Sequence, residues 1–499
     1  MKMRRELGFS DALMMGLSGS IGFEIFVLMD YAYFGLAGSS MVLSLLLGGL
    51  INLLIMFSYC ELSAAIPKVG GEYTYTKAAY GGPVAFISGC LRWLASVFGA
   101  SLAALVFARQ LSYLFLRVSP IVQSVISAQA PLIAIAVIII LTALDVKGAR
   151  KVGPMIVITF LALFAIFLAS GLWHGLTPPD VIPKPLPEGL SGVFAATAYM
   201  FPMFFGMRAL VAGAAQIKNA EKNIPRAIIL SALVIMPLYF GVAYVAVGVV
   251  PLGDFDEPLL NLAAENLLPG AGGILFAIAG MVASLSALGT SIAVQSSIAR
   301  GMSRDGYLPK ILLSVHQRYG TPYVATIAGS LFIIFLSAVG YVEFLGYAAS
   351  FGSILVFALV NLSLLRLRKK RPYLKRAFKA PLYPFTPIAG VVMSVVLLVS
   401  PIFFGDVNAI GALMSGLGLM AMVLLTYYLR MVGRYRVQVA LGGIGLVMGI
   451  LTALLTYLIE TGFVPIILSP VSRYVLIFFS VVSILAGLLN VTARTPKIF

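Results

Sequence analysis

Long apolar segments follow one another along almost the whole chain and are separated by short polar stretches. A helix needs about 20 predominantly apolar residues to cross the hydrocarbon core of a bilayer. The pattern therefore predicts fourteen transmembrane spans, and no polar stretch is long enough for a separate soluble domain. The predicted spans, numbered in chain order, are 9–36, 40–65, 83–115, 130–145, 153–173, 191–216, 227–251, 271–299, 322–341, 343–366, 384–404, 408–430, 438–460 and 470–492.

Spans 1 and 6 are interrupted at corresponding places. Each carries helix-breaking residues and one charge: Gly19, Gly22 and Glu24 in span 1, and Pro202, Gly206 and Arg208 in span 6. Glycines can also serve close helix packing, but the matching interruption favours unwinding of both spans. Unwound backbone is tolerated in lipid only where protein or a ligand satisfies its N–H and C=O groups. Paired interrupted spans are typical of a midplane binding site in a secondary transporter.

The composition supports a polytopic membrane protein. Of 499 residues, 61% are hydrophobic and 10% are charged, against about 25% charged residues in a typical soluble domain. Cys60 and Cys90 lie near or within apolar segments, which indicates neither a disulfide framework nor a metal site. His174 and His316 fall in predicted loops, so no histidine pair is available for catalysis in the membrane. We therefore expect no enzyme activity, no cofactor and no metal.

The formal net charge of +16 follows an asymmetric pattern. Alternate loops hold 28 of the 34 Lys and Arg residues, whereas the opposite loops carry the acidic run Asp254, Asp256 and Glu257. This is the positive-inside pattern, so we expect a multi-pass protein of the cytoplasmic membrane with both termini in the cytoplasm. Because the basic residues lie at membrane-flanking loops, we expect the lipid bilayer as their surroundings and no nucleic-acid partner.

Four motifs, in order, resemble those of the amino acid–polyamine–organocation (APC) transporter superfamily over roughly residues 8–385. They are Gly19-Ser-Ile-Gly22, then Glu61-Leu-Ser-Ala-Ala-Ile-Pro67-Lys-Val-Gly70-Gly71-Glu72-Tyr73, then Lys218-Asn219-Ala-Glu-Lys-Asn-Ile224-Pro225-Arg226, and Arg300-Gly-Met-Ser-Arg304-Asp305-Gly306 with Gly320-Thr321-Pro322 following. The second is the most specific single match.

The resemblance implies an all-α, LeuT-like fold with two inverted repeats of five spans, in which spans 1 and 6 are unwound at mid-membrane. Residues 1–190 would form the first repeat, 191–370 the second, and 371–499 about four additional spans. It also implies alternating-access transport of a small molecule, an amino acid or related amine, by a secondary transporter. Two oligomeric states stay open, a monomer and a homodimer.

The candidate site residues come from the two breaks and from span 8. For substrate binding they are Ser18, Gly19, Ser20, Gly22, Glu24, Phe201, Phe204, Gly206 and Arg208. For gating or coupling they are Glu24, Phe26, Ser286 and Thr290. The resemblance implies that a sodium site would use oxygens from spans 1 and 8, and Ser286 and Thr290 both lie in span 8. Proton coupling through Glu24, exchange and facilitated uptake stay open.

Two charges depart from the family pattern, since the family usually has a small residue at Glu24 and often an acid at Arg208. A mid-membrane charge is normally paired or faces a cavity. Three interpretations stay open. The two residues form a permanent ion pair; or Arg208 binds a substrate carboxylate and Glu24 an amine; or Glu24 carries a proton. Among other charges, Arg92 beside Trp93 is open between contact with the site, contact with a lipid headgroup and a structural role, which we favour. We expect Asp30 to reach the outer vestibule and Arg109 to snorkel.

Other functions compete with amino acid transport. The chain could carry polyamines or other organic cations, or it could be a sensor that binds a substrate without transporting it. A channel would show little saturation. A membrane enzyme would need a nucleophile–base pair or metal ligands, which the apolar segments do not offer. Saturable counterflow separates transport from a sensor, a channel or an enzyme, and the compound that is accumulated narrows the substrate.

Overall fold

The structure is a computed structural model that describes residues 7–67, 70–116, 119–148, 155–173, 189–253, 257–404 and 408–418, with scattered residues between 420 and 491. Within these ranges the regular structure is helical, apart from one parallel bridge between Leu7 and Ile217. The backbone N–H of Leu7 donates to Gln216 at 3.1 Å, and that of Lys218 donates to Leu7 at 2.8 Å. The bridge therefore holds the start of the described chain against the end of span 6.

The described helices of the first half are α1 Phe9–Ser20, α2 Ile25–Tyr31, α3 Met41–Ala65, α4 Gly71–Tyr80, α5 Gly82–Leu116, α6 Pro120–Ala128, α7 Ala130–Val146 and α8 Met155–Trp173. A π-helical segment, Ala32–Ala37, and a 3₁₀ turn, Gly38–Ser40, continue α2 towards α3. Those of the second half are α9 Gly189–Met200, α10 Met207–Ala212, α11 Ala220–Val249, α12 Leu259–Leu267, α13 Gly272–Arg304, α14 Tyr323–Val339, α15 Val342–Lys370 and α16 Phe385–Phe404. Three 3₁₀ segments lie between them, Phe201–Phe204, Ala214–Gln216 and Lys310–Leu313.

The helices confirm a multi-pass membrane protein. In the described part of the chain, 6 helical segments are long and apolar enough to cross a membrane, or 7 if the bent pair α6–α7 forms one span. Shorter apolar helices cover Val157–Trp173, Tyr323–Ala338 and Phe385–Pro401. Together they occupy the positions of predicted spans 1–11. Spans 12–14 lie largely outside the described residues, so the total of fourteen stays a prediction.

Three short helices lie outside the predicted spans, because hydrophobic length cannot reveal them. Helix α6 bends by 62° into α7, and α12 begins where the backbone N–H of Leu259 donates to Asp30 at 2.9 Å. Helix α4 is polar overall and follows two glycines in the left-handed region, Gly70 and Gly71. It buries Glu72 in the protein interior.

Helix α5 lies at the centre of the fold and packs against α4, α7, α13, α14 and α15. Its buried face is rich in small residues, among them Ala100, Ser101, Ala103 and Ala104. Small side chains let neighbouring membrane helices approach closely. As a result, α5 and α13 together form one wall of the region in which spans 1 and 6 are broken.

A buried carboxylate joins the end of α3 to the end of α15 and to the segment that follows it. Glu61, fully buried, accepts hydrogen bonds from Arg368 Nε at 2.8 Å and Arg368 Nη2 at 2.5 Å. Arg376 Nε lies 3.0 Å from it, and the backbone N–H of Ala380 donates at 2.7 Å. We call Glu61, Arg368, Arg376 and Ala380 the Glu61 clasp.

A second contact joins α4 to the end of α13. Asp305 accepts hydrogen bonds from the Tyr73 hydroxyl and from Lys77 Nζ, the latter at 2.7 Å. Partial burial favours a higher pKa for Asp305, but the hydrogen bonds from Lys77 and Tyr73 outweigh burial and hold this pKa below its ordinary value. The contact links two of the motifs that carry the family resemblance.

Candidate functional site

Span 1 is broken between Ser20, where α1 ends, and Ile25, where α2 begins. The last helical bond on the α1 side runs from Ile21 N–H to Leu17 C=O at 2.8 Å. The carbonyl of Ser20 accepts a hydrogen bond from the hydroxyl of Tyr239 in α11. A side chain from another helix thus satisfies a carbonyl that the break removes from the helical ladder.

Span 6 is broken beside this point. Helix α9 ends at Met200, a 3₁₀ segment containing Pro202 follows, and α10 begins at Met207. A Cβ at Gly206 would overlap the Ser20 hydroxyl and lie 2.6 Å from the carbonyl oxygen of Gly16. A Cβ at Gly19 would lie 3.0 Å from the carbonyl oxygen of Gly206. Glycines are therefore required for the two breaks to touch.

A cavity of about 180 Å³ lies where the breaks meet α5 and α13. This volume suits a small solute rather than a drug-sized ligand. Seven residues selected from the sequence line it: Ser18, Gly19, Gly22, Glu24, Arg208, Ser286 and Thr290. The structure thus brings both intramembrane charges of spans 1 and 6 to one cavity wall, together with hydroxyl groups from span 8.

The cavity is open at one end. Ser18, Ala212 and Thr290 on its wall are exposed, whereas Leu28 is 0% and Leu102 is 2% exposed. Ser18 precedes the break and Leu28 follows it, so the open end faces the side of the α1 N-terminus. Beyond the closed end, the rings of Tyr31, Tyr199 and Tyr347 pack with centroids 5.2 and 4.8 Å apart.

The selected aromatic residues lie behind the cavity wall. Phe26 is buried among Phe160, Phe164 and Phe276, with ring centroids 6.1 to 6.2 Å away. Phe26 therefore does not lie on the cavity wall, and its gating role stays a prediction. Phe201 and Phe204 are also buried and pack edge-on against other aromatic rings. Ser20 and Phe204 line a much smaller cavity behind the break.

Arg208 is 7% exposed and has partners on two other helices, α4 and α15, and in the break of its own span. Its Nη1 donates to Ser353 Oγ at 3.0 Å, and its Nε lies 3.6 Å from Glu72 Oε1. The guanidinium carbon lies 4.6 Å from the ring centroid of Phe205 and 5.6 Å from that of Phe357. Serine, carboxylate and aromatic faces thus fix the guanidinium in place.

The direct Glu24–Arg208 ion pair, one of the three interpretations of the sequence, is not formed. Among the described residues, the carboxylate within 4.0 Å of Arg208 belongs to Glu72. The Glu24 carboxylate instead accepts a hydrogen bond from its own backbone N–H and folds back over Gly22. Glu24 and Arg208 therefore line one cavity without closing on each other.

Two charged residues matter more here than the sequence indicated. Glu72 belongs to a family motif but fell in a predicted loop, where hydrophobic patterning gives no sign of burial. Arg92, expected to be structural, lines the cavity; its Nε lies 3.9 Å from Glu72 Oε1 and its Nη1 donates to Ser96 at 3.0 Å. The only sequence feature that drew attention to Arg92 was its position next to Trp93 in span 3.

Asp30 and Arg109 also form a pair. Asp30 is buried and lies 2.9 Å from Arg109 Nη1. The expected snorkelling of Arg109 is replaced by this contact, because α2 brings a buried carboxylate within reach. In the described residues, no group of three or more His, Cys, Asp or Glu side chains is placed to hold a metal ion.

Comparison with known proteins finds transporters that are similar to most of this chain. The branched-chain amino acid permease BcaP of Bacillus subtilis is 29% identical over 80% of this chain and 88% of its own length. The methylthioribose transporter of the same species is 28% identical over 78% and 87%. The vacuolar cationic amino acid transporter 2 of Arabidopsis thaliana is 27% identical over 74% and 61%. The amino acid permease family model matches residues 7–425. The match confirms the APC resemblance, and the chain belongs to the amino acid permease family.

Proposed function

We propose that this permease is an alternating-access secondary transporter that carries amino acids or related amines across the cytoplasmic membrane. The observation that supports this most directly is the cavity between the two broken spans, with Glu24 and Arg208 on its wall. A carboxylate and a guanidinium on one small cavity can take an ammonium and a carboxylate from the same solute. The relatives named for amino acids support the same substrate class.

The proposal includes the LeuT-like arrangement. Residues 1–190 and 191–370 form the two inverted repeats, and 371–499 supply the additional spans. With both termini in the cytoplasm, the open end of the cavity faces inward, because Ser18 lies on the side of the N-terminus. The closed end, with Leu28 and Leu102, faces outward. This arrangement corresponds to the inward-open state of an alternating-access cycle.

The coupling mode is part of the proposal. Glu24 is the candidate carrier of a proton, since it faces the cavity without a basic partner within 4.0 Å in the described chain. Ser286 and Thr290 of α13 are the candidate sodium ligands. The protein works as a monomer or homodimer without a cofactor, and it carries out no covalent chemistry.

Counterflow in proteoliposomes tests the function without knowledge of the coupling ion. Vesicles are preloaded with a mixture of unlabelled amino acids and polyamines, and each labelled compound is added outside in turn. Because one relative is named for methylthioribose, a neutral sugar derivative belongs in the set. Saturable accumulation of amino acids supports the proposal, and accumulation of polyamines alone favours the organic-cation alternative. Binding without accumulation, from folded protein, indicates a sensor.

A further inference from the structure

Eight basic residues lie at positions 366–379, at the end of α15 and in the segment that leads to α16. No acidic residue occurs between positions 344 and 405, so the segment carries no balancing charge of its own. Arg368 and Arg376 turn inward to Glu61. The other six are exposed, and none of them lies within 4.0 Å of a carboxylate in the described part of the chain. These six form what we call the basic platform: Arg366, Lys369, Lys370, Arg371, Lys375 and Lys379.

The basic platform is a folded element rather than a loose tail. Blocks of five or six like charges are usually disordered, but here the guanidinium of Arg376 holds the chain together from within. Its Nη1 donates to the carbonyls of Pro372 and Leu374 at 3.2 and 3.0 Å. Its Nη2 donates to the carbonyls of Leu367 and Arg371, both at 3.2 Å. Because a basic side chain thus satisfies the carbonyls at the end of α15, the platform cations are held in a fixed arrangement.

The basic platform lies at the level where the apolar surface of the protein begins. Helix α15 is long and apolar enough to cross a membrane, and α16 is a shorter apolar helix. Large apolar side chains are exposed in the same segment and at the start of α16: Tyr373 is 97%, Leu382 74% and Phe385 64% exposed. Basic and aromatic side chains on one surface are typical of the headgroup region of a bilayer.

The described protein supplies no anion for the basic platform. The Glu61 clasp has two guanidinium groups for one carboxylate, so it adds positive charge beneath the six exposed cations. Like charges that are held close together repel one another. A soluble acidic partner could balance this charge, but it would leave Tyr373, Leu382 and Phe385 exposed to water. A layer of anionic lipid headgroups satisfies both features of the surface at once.

We propose that the basic platform binds anionic phospholipids of the adjoining leaflet, which is the cytoplasmic leaflet in the proposed orientation. The negatively charged headgroups lie against the exposed lysines and arginines, and Tyr373 and Phe385 contact the acyl chains beside them. Zwitterionic phospholipids carry no net charge to balance the platform, so the binding is selective for anionic ones. This inference goes beyond the transport function and does not depend on which substrate is carried.

The test titrates the purified protein in neutral detergent with dioleoylphosphatidylglycerol or dioleoylphosphatidylcholine, which share the same acyl chains, and follows thermal unfolding. We expect phosphatidylglycerol alone to raise the melting temperature. The platform variant carries Lys369→Gln, Lys370→Gln, Lys375→Gln and Lys379→Gln. It should need at least about tenfold more phosphatidylglycerol for half the effect, because each basic residue near an anionic surface strengthens binding about fivefold. Raising the ionic strength from about 0.05 to about 0.5 M should weaken the wild-type effect, which tests the inference without any variant.

A charge-matched control changes four other exposed bases that flank the membrane on the same side: Lys222→Gln, Arg226→Gln, Lys310→Gln and Arg318→Gln. It should respond to phosphatidylglycerol like wild type. Equal stabilisation by both lipids, an unchanged response of the platform variant, or an equal loss of response in the control overturns the inference. Inorganic phosphate or polyglutamate that stabilises the protein as well as phosphatidylglycerol does would assign the platform to a soluble anion or an acidic protein, which also overturns it. Counterflow is measured separately, so these outcomes leave the proposed transport function standing.

Discussion

Glu61 and Arg368 are 307 residues apart in sequence, yet two hydrogen bonds join the carboxylate of one to the guanidinium of the other. The contact links the end of span 2 to the end of span 10. It lies at the polar boundary of both helices, while Glu61 itself is fully buried. The clasp therefore fixes how the first and second halves of the chain pack at this side of the membrane.

Replacing Glu61 by Gln should destabilise the fold strongly. The substitution leaves Arg368 and Arg376 close together without their shared anion, and breaking a buried pair in this way costs about 3–5 kcal/mol. Thermal unfolding of the purified protein measures the effect. Lys370→Gln, at the exposed end of α15, the helix that carries Arg368, is the control and should unfold at the same temperature as wild type. Equal melting temperatures for Glu61→Gln and wild type would show that the clasp contributes nothing.

Gly206→Ala should abolish transport. The new methyl group would overlap Ser20 and press on the carbonyl of Gly16, both of which belong to the broken span 1. Its matched control is Gly289→Ala in α13, where a Cβ meets no atom within 4 Å. That change should leave uptake unchanged. Uptake by Gly206→Ala at the rate of Gly289→Ala would argue against close contact of the two breaks.

Tyr239→Phe should reduce stability by about 1–3 kcal/mol, because a buried carbonyl at Ser20 loses its hydrogen-bond donor. The ring itself is unchanged, so packing against Phe204 is kept. Tyr244→Phe on the same helix, where the ring stacks on Phe240, provides the comparison. Thermal unfolding of both variants measures the two losses of stability. Equal losses would show that removing any tyrosine hydroxyl from this helix has the same effect, and that the hydrogen bond to the break contributes nothing specific.

A double-mutant cycle should couple Arg208 to Glu72 more strongly than to Glu24. The Arg208–Glu72 distance of 3.6 Å predicts a coupling energy of about 0.5–3 kcal/mol, so that Arg208→Met and Glu72→Gln together are less damaging than the sum of the single changes. The cycle of Arg208→Met with Glu24→Gln should be closer to additive. Unfolding free energies of the single and double variants give both values. The reverse order would favour the direct Glu24–Arg208 pair, one of the three interpretations of the sequence.

Asp305→Asn should destabilise the protein at neutral pH but not in acid. Because the pKa of Asp305 in the folded protein lies below its ordinary value of 3.8, the carboxylate contributes stability above that value and loses it as the pH falls through the folded pKa. The difference in melting temperature from wild type should stay constant between about pH 8 and 5 and shrink below about pH 4. A difference that changed between about pH 5 and 8 would assign the titration to another group.

The sequence could predict the positions of the apolar helices in spans 1–11 and of the two breaks. Lipid tolerates only long apolar helices, and Gly19, Gly22 and Pro202 disturb them in recognisable ways. It could not predict the partner of Arg208, since Glu72 lies on a polar helix that hydrophobic length does not reveal. Nor could it predict that Phe26 packs among other aromatic rings, because the helical period cannot be followed across a non-helical break and the face on which its side chain lies was unknown.

The bridge between Leu7 and Ile217 has a practical consequence. It ties the start of α1 to the end of span 6, so the half-helices α1 and α10 on the open side of the cavity share one attachment point. Spin labels placed beside Leu7 and Ile217 would report a nearly constant separation while the rest of the protein rearranges. An affinity tag or fluorescent fusion directly before Leu7 would disturb both half-helices through this bridge. Such fusions therefore belong elsewhere on the chain.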